Sequence, residues 1–353
     1  MSLILHQTVI QPQDQIYRAS PTESQRRAND AAMDHIQVPK ANSQRSPFAD
    51  WACGHAFYDR VFQWIIERLF CLSEPSVLLI IGPTGAGKST MIRHVSSQLA
   101  IRMASAMKDD PSRLHKVYAE AVYVPTRGFD WEGLFTALLS DANEILLNRK
   151  VAKVWPPEKP NLKGLASAVN TMLLNHAPPA AIIDEGGSFV ESDSDESLDR
   201  VLGFLKSIGN RSRTHLLIFG DYRMAKMSTL NAQLNRRCLI MHLSNYPEGY
   251  KDQFDLVVGT FEKRLHAQKV SADLIGASDL LFEETCGCVG LLKRWVENAW
   301  IVERDTGRTI DRKVLEATRF PAGSVSKWRA DIANGHENLR TFFDGPPKPK
   351  GGH

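Results

Sequence analysis

The chain has 353 residues, 43% hydrophobic and 24% charged, with a formal net charge of +3. That balance excludes a chain disordered throughout or a fibre, and it allows one large domain or two modest ones. The longest apolar runs, such as VLLII at 77–81, fall far short of the roughly 20 residues a bilayer span needs, so no membrane partner is expected.

The N-terminus shows neither a basic leader nor the long apolar stretch of a signal peptide. Five cysteines, an odd number, make no disulfide framework, and Cys286-x-Cys288 lacks a second Cys/His pair at zinc-finger spacing. A reducing, cytoplasmic setting is the expectation.

Residues 1–50 are rich in Gln, Ser, Asn and Pro without a sustained period, which predicts a flexible arm. Phe57, Val61, Phe62, Ile65, Ile66, Leu69 and Phe70 recur at helical spacing. VLLII (77–81) is the short apolar run of a strand buried on both faces. A Gly-rich turn follows, then a helix with Met91, Ile92, Val95 and Leu99 on one side. AVYV (121–124) is predicted as the second buried strand, with a helix through Leu134, Phe135, Leu138, Leu139 and Leu146 after it. Leu165, Val169, Met172 and Leu173 mark a helix before the strand AAII (180–183). Leu198 to Ile208 predicts another helix, LLIF (216–219) a fourth strand and LIM (239–241) a fifth.

Strand and helix thus alternate from about 57 to 243, the pattern of an α/β fold: a parallel five-stranded sheet with helices on both faces. After Pro247 the pattern is purely helical: 254–265, 274–285 and 289–302. The expected organisation is an arm (1–50), an α/β core (51–245), a small helical domain (246–305), and a C-terminal extension with a Pro/Gly/Lys tail (306–353). Charge is uneven along the core. Residues 192–199 carry four acids and no base, whereas 201–241 carry seven basic residues against Asp221 alone, either a solvated face or a surface that meets phosphates.

The sharpest motif is Gly82-Pro83-Thr84-Gly85-Ala86-Gly87-Lys88-Ser89-Thr90, which matches G-x-x-x-x-G-K-[ST] between a strand and a helix. Glycines let the backbone N–H groups turn inward as an anion nest, and the helix N-terminus adds its positive end. Lys88 reaches the β/γ-phosphates, and Ser89 offers a hydroxyl to Mg²⁺. This predicts binding of a nucleoside triphosphate. At the end of the third strand, Asp184 fits the acid of the Mg²⁺ shell and Glu185 the base that orients the attacking water. No N-K-x-D guanine-reading motif is present, so ATP and Mg²⁺ are the expected cofactors. Asp221 ends the fourth strand where many ATPases place a polar sensor of the γ-phosphate; it could equally orient a water or pair with Arg223. Within Gln233-Leu234-Asn235-Arg236-Arg237, an arginine just before the last strand is placed to reach the ATP of a neighbouring subunit.

In this order the pieces resemble an AAA+ ATPase and, more narrowly, the TniB/TnsC family of transposition regulators, over roughly residues 55–305. GPTGAGKST resembles that family's Walker A and AVYVPTRGFDWEGLFTALL its second strand and following helix. AAIIDEGGSFV resembles its Walker B, with Gly186-Gly187-Ser188 replacing the usual I-Q-H or I-Q-N. FLKSIGNRSRTHLLIFGD has Asp221 where threonine is common. LNAQLNRRC resembles the arginine-finger segment and puts the finger at Arg237, with Cys238 for phenylalanine. TCGCVGLLKRWVENAWIV resembles the lid helix, on which the resemblance implies Lys293 and Arg294 as the basic residues to sense the γ-phosphate, Lys293 being taken as nucleotide-binding, while ordinary sensor-2 spacing falls on Gly290.

The resemblance implies a bacterial, nucleoid-associated ATPase that forms a homo-oligomer, ring or filament, on double-stranded DNA. It would link a TniQ-type target selector to a DDE transposase, with hydrolysis driving disassembly. Thr126 and Arg127, then Arg149, Lys150 and Lys153, fall in the loops that line the family's pore. They would give sequence-independent, salt-sensitive contacts to the DNA backbone. The arm and the segment after 305 would dock the other proteins. Competing readings are a replication initiator or helicase loader, for which residues 306–353 look too short and polar to hold a winged helix, an ATP-switched scaffold that touches no DNA, and a small-molecule kinase.

Overall fold

A computed structural model describes residues 46–49, 51–72, 74, 76–125, 128–151, 161–191, 212–228 and 238–344. The arm through residue 45, the helix expected at 198–208, the acidic run and the tail from 345 lie outside the described residues, as do Thr126, Arg127, Lys153, Arg236 and Arg237. The rest falls into two compact units: residues within Val61–Gly82, Lys88–Leu243 and Asn334–His353, and residues within Met1–Arg60, Pro83–Gly87 and Ser244–Ala333.

The first unit is a five-stranded parallel sheet flanked by helices. In chain order its strands are β1 (Val77–Ile81), β2 (Val117–Glu120), β5 (Ala180–Asp184), β6 (His215–Gly220) and β7 (Cys238–His242), and they lie in the order β2-β5-β6-β1-β7. β1, β5 and β6 are buried at every residue, as expected of strands covered on both faces. Side chains alternate across the sheet: Val77, Leu79 and Ile81 join a core with Leu138 and Leu139 of α4 (Trp131–Asn148) and Val169 and Leu173 of α5 (Leu162–His176). Leu78 and Ile80 therefore point to the other face; α1 (Ala56–Cys71) and α2 (Lys88–Arg102) supply the buried side chains Phe62, Ile65, Met91 and Val95. A short α3 (Ala104–Asp109) follows α2. Asp130 caps α4, accepting from Gly133 N at 2.8 Å, and Asn161 caps α5, accepting from Gly164 N at 2.8 Å.

The second strand corrects the sequence reading. The sheet takes Val117–Glu120 rather than AVYV at 121–124. β2 is an edge strand, so only Val117 and Ala119 are buried while Tyr118 and Glu120 face outward, and the apolar run expected of an interior strand never forms. Val122 is 48% exposed, and Tyr123–Val124 (β3) instead pairs antiparallel with Gly128–Phe129 (β4) in a small hairpin. Asp141 on α4 anchors β2 by accepting from Lys116 Nζ at 2.7 Å and from Tyr118 N at 2.9 Å.

The second unit is helical: α6 (Lys251–Ala267), α7 (Ser278–Thr285), α8 (Val289–Thr306), α9 (Arg312–Ala317) and the first half of α10 (Ala322–Asp344). Phe254, Phe261, Leu292 and Val296 build its core around Trp295, which is fully buried. The Trp295 indole N–H donates to Leu315 O at 3.1 Å and Thr318 Oγ1 at 3.2 Å, tying α8 to the end of α9. The end of the predicted flexible arm is packed here as well. Phe48 is wholly buried against Phe261, and Ser46 Oγ donates to Glu297 at 2.7 Å. Among the described residues no helix is long and apolar enough to cross a membrane.

Trp295→Ala removes the largest fully buried side chain of this core and the indole hydrogen bond that ties α8 to the end of α9. We expect it to cost about 3–5 kcal/mol of stability, read from the urea midpoint; a wild-type midpoint would contradict the packing described.

Candidate functional site

Glu120, Asp184, Glu185 and Asp221 of the α/β unit stand at or just past the carboxyl ends of its strands. Ile81 and Gly220 are register partners, and Gly82 N donates to Gly220 O at 3.1 Å, so the loop leaves β1 beside the end of β6. Gly82 is a glycine because a Cβ there would stand 2.3 Å from Leu243 O. At the loop's other end α2 begins with Lys88, whose Nζ donates to Gly82 O at 2.9 Å and so closes the loop on itself. Ser89 is exposed on the first turn of α2, with Thr90 half-buried beside it.

Asp184 ends β5, only 8% exposed, and its Oδ1 accepts from Glu185 N at 2.8 Å. Burial pushes its carboxyl above the ordinary range; the Glu185 amide and the charge of Lys88 offset part of that rise, and Glu120, its register partner on β2, adds to it. A partly dehydrated carboxylate facing one lysine is a site suited to a second cation. Glu185 is exposed and lies in the left-handed region at φ +53°, a conformation worth of order 1 kcal/mol of strain in a non-glycine residue.

Asp221, directly after β6, is paired with Arg223. The guanidinium Nε lies 3.0 and 2.9 Å from the two carboxylate oxygens and Nη2 lies 2.6 Å from Oδ2, while Arg223 N donates to Oδ1 at 2.9 Å. Nη1 bonds Glu191. Burial alone would push the Asp221 carboxyl up; the Arg223 hydrogen bonds and charge outweigh it, and the carboxyl sits below its ordinary value. Of the roles open from sequence, the pairing with Arg223 is formed in the structure.

In the helical unit, Pro83–Gly87 makes a tight turn: Ala86 N donates to Pro83 O at 3.2 Å, and Gly85 and Gly87 have φ of +80° and +97°. Gly290, at the start of α8, donates its N–H to Gly85 O at 2.7 Å, and a Cβ on Gly290 would stand 2.6 Å from that same oxygen. The position at which ordinary sensor-2 spacing falls is therefore occupied by backbone against backbone. One turn on, Lys293 Nζ donates to Trp51 O at 3.2 Å, and Arg294 is exposed.

The residues predicted to meet DNA are distributed unevenly. Arg149 caps α4 and turns inward: Nη1 donates to Arg113 O at 2.5 Å, and Nη2 lies 3.2 Å from His115 Nδ1. Burial, then the charges of Lys116 and Arg149, lowers His115 to about 4, so a neutral ring faces the guanidinium. Lys150 is exposed in the left-handed region at φ +61°. Sequence reasoning missed Gly290 as a contact of the phosphate loop and Glu191 as the third member of the Asp221–Arg223 cluster. The first was legible only as a glycine at an unexpected spacing; the second, 30 residues upstream of Asp221, carried no signal.

Residues 71–227 match the family model described as an AAA domain. No curated protein matches the chain by sequence. Solved structures do. The ADP form of the Aeropyrum pernix ORC2 protein is 16% identical, with a TM-score of 0.50 over 84% of this chain and 72% of that one. The ADPNP-ADP complexes of the same protein give 14% and 0.51 over 85% and 71%. The Walker-type ATPase PABY2304 of Pyrococcus abyssi gives 13% and 0.50 over 88% and 79%. The fold is thus the AAA+ P-loop fold with a helical C-terminal region.

The environment of Asp184 has a thermodynamic consequence. Its carboxyl titrates higher in the folded chain than in the unfolded one, so the penalty for the buried charge is fully present at neutral pH. It fades as pH falls through the raised value and the group becomes neutral. Asp184→Asn should therefore raise the melting temperature of the nucleotide-free protein at pH 7, with the gain shrinking in acid. Scanning calorimetry at several pH values checks the sign; a destabilised variant at pH 7 would refute it.

Proposed function

We propose that the chain is a Mg²⁺-dependent ATPase that assembles on duplex DNA in its ATP-bound state, in the manner of the transposition regulators it resembles. The observation that carries the reading is Lys88 and Asp184 at the same end of the sheet, after β1 and at the end of β5: the lysine closes the phosphate loop, and the buried acid feels its charge. The nucleotides named for the Aeropyrum pernix ORC2 structures and the ATPase named for Pyrococcus abyssi support an adenine nucleotide.

On this reading the loop amides and Lys88 cradle the phosphates, and the α2 N-terminus favours their charge. Ser89 and Asp184 would hold Mg²⁺, which neutralises the β/γ-phosphate oxygens when bound; a single carboxylate and a hydroxyl suit an ion that keeps its remaining ligands from phosphate and water. Glu185, exposed and fixed in its unusual backbone conformation, orients the attacking water. Arg237 from an adjacent subunit completes the site, so nucleotide and neighbour are bound together. Lys150 is the described residue best disposed to meet a DNA backbone; Thr126, Arg127 and Lys153 are assigned the same role from sequence. A TniQ-type selector and a DDE transposase are the proposed protein partners, and hydrolysis is the step that releases the assembly.

One observation favours a second reading. Arg149 is engaged within its own unit rather than offered outward, which weakens the basic surface and suits an ATP-switched scaffold that touches no nucleic acid. The described residues after 306 form α9 and α10, with an isolated bridge from Ile310 to Ala272.

Lys88→Ala should abolish binding of a fluorescent ATP analogue. Glu185→Gln should keep binding but slow turnover by about 100-fold or more, and Arg237→Ala should bind nucleotide as single subunits without assembling. Negative-stain electron microscopy with a duplex and a slowly hydrolysed analogue reads the assembly. Rings or filaments that need both support the proposal, and single particles in every condition would transfer it to the scaffold.

A further inference from the structure

An acid at the end of β6 creates an electrostatic conflict. Gly220 O accepts from Gly82 N at 3.1 Å, and Lys88 reaches the carbonyl of that same Gly82, so Asp221 follows directly on a residue bonded to the phosphate loop. From the other side comes the turn after Asp184 and Glu185. A Cβ on Gly187 would stand 3.0 Å from Asp221 Oδ2 and 2.8 Å from Arg223 Nη2. The carboxylate thus lies against the turn that follows the proposed water-orienting glutamate, one residue past a strand end bonded to the start of the phosphate loop. Unpaired there, it would repel the terminal phosphate of a bound triphosphate.

Arg223 is held so that it cannot easily leave Asp221 unpaired. Its backbone N–H and two guanidinium nitrogens all bond the one carboxylate, the fork geometry that makes such pairs strong. Glu191 grips the outer nitrogen, and the 3-10 turn Tyr222–Ser228 fixes the backbone between the two charges. Asp221 is within range of the charge of Lys88, which connects the cluster to the loop's lysine as well.

We propose that Arg223 is a positioning residue for the nucleotide: by neutralising and fixing Asp221 it turns an acid at the γ-phosphate end of the site into a neutral, oriented polar group. The proposal rests on the nucleotide-binding reading given above and adds a specific consequence to it. Removing Arg223 releases a negative charge close to the third phosphate and farther from the second, so the loss should fall on ATP more than on ADP. The defect should also vanish when Asp221 itself is made neutral. A merely structural Arg223 also predicts the rescue by a neutral residue 221, because an unpaired half-buried acid destabilises the fold, but it does not predict the difference between ATP and ADP.

The test is titration of the full-length protein with ATPγS and with ADP, in Mg²⁺, for wild type, Arg223→Ala, Asp221→Asn, the double variant and Lys88→Ala. Arg223→Ala should weaken ATPγS by about tenfold more than ADP. The double variant should return to within about threefold of Asp221→Asn alone. Equal loss for both nucleotides, or a double variant as defective as Arg223→Ala, would overturn the proposal. Lys88→Ala reports separately: wild-type binding in that variant defeats the nucleotide-binding reading, an outcome that no change at Arg223 or Asp221 can mimic.

Discussion

Like charges crowd the carboxyl end of the sheet, and much of the surrounding structure answers that constraint. Glu120, Asp184, Glu185 and Asp221 all sit at or just past strand ends of one unit. Water cannot screen them fully, since Asp184 is almost buried, and each charge needs a counterweight or an outlet. Lys88 answers for Asp184, Arg223 for Asp221, and Glu185 stays exposed. Burial wins at Asp184, whose carboxyl is raised, and pairing wins at Asp221, whose carboxyl is lowered. An acid left raised is poised to gain from a further cation, whereas an acid already paired is not.

Backbone proximity is the second requirement, and it explains glycines that a motif alone does not. The phosphate loop must leave β1 against Leu243 and lie against the start of α8. Neither approach tolerates a side chain, because a Cβ at Gly82 or Gly290 would overlap a carbonyl oxygen. The contact at Gly290 uses the space in which a sensing arginine would otherwise begin. The positive charge proposed for the phosphates is that of Lys88 within the chain and of an arginine from a neighbouring subunit.

Interior strands and amphipathic helices were legible in the sequence because burial on one or both faces writes itself as an apolar run or a 3.6-residue period; 77–81, 180–183 and 216–219 are the plainest cases. β2 was not, because an edge strand with one open face keeps Tyr118 and Glu120 polar, and the more apolar neighbouring run belongs to a hairpin. Phe48 was hidden for a related reason: one buried aromatic in a polar context has no period, and only the cavity formed by Phe261 and Trp51 gives it meaning. Lys88, Asp184 and Glu185 were visible because their chemistry is bound to short spacings. The Arg223–Glu191 bond spans 32 residues and depends on where two turns meet, so only the folded chain reveals it.

The departures from the pattern that the sequence resembles gain a common explanation from this geometry. Gly186-Gly187-Ser188 stands where the resembled pattern has the larger I-Q-H or I-Q-N, and Asp221 where it has a neutral sensor, in two motifs more than 30 residues apart. Gly187 faces Asp221 and Arg223 so closely that any side chain would strike the ion pair. An aspartate at the end of β6 calls for a counter-charge, the arginine that supplies it occupies the space beside Gly187, and a side chain at 187 would have to displace it. Gly186, whose Cβ would meet Ile218 and Met224, is constrained in the same way by the residues on either side of the pair. Read physically, the two departures are one packing solution. Restoring a larger residue at 187 without also restoring a neutral residue at 221 would set the side chain and the ion pair in competition for the same volume.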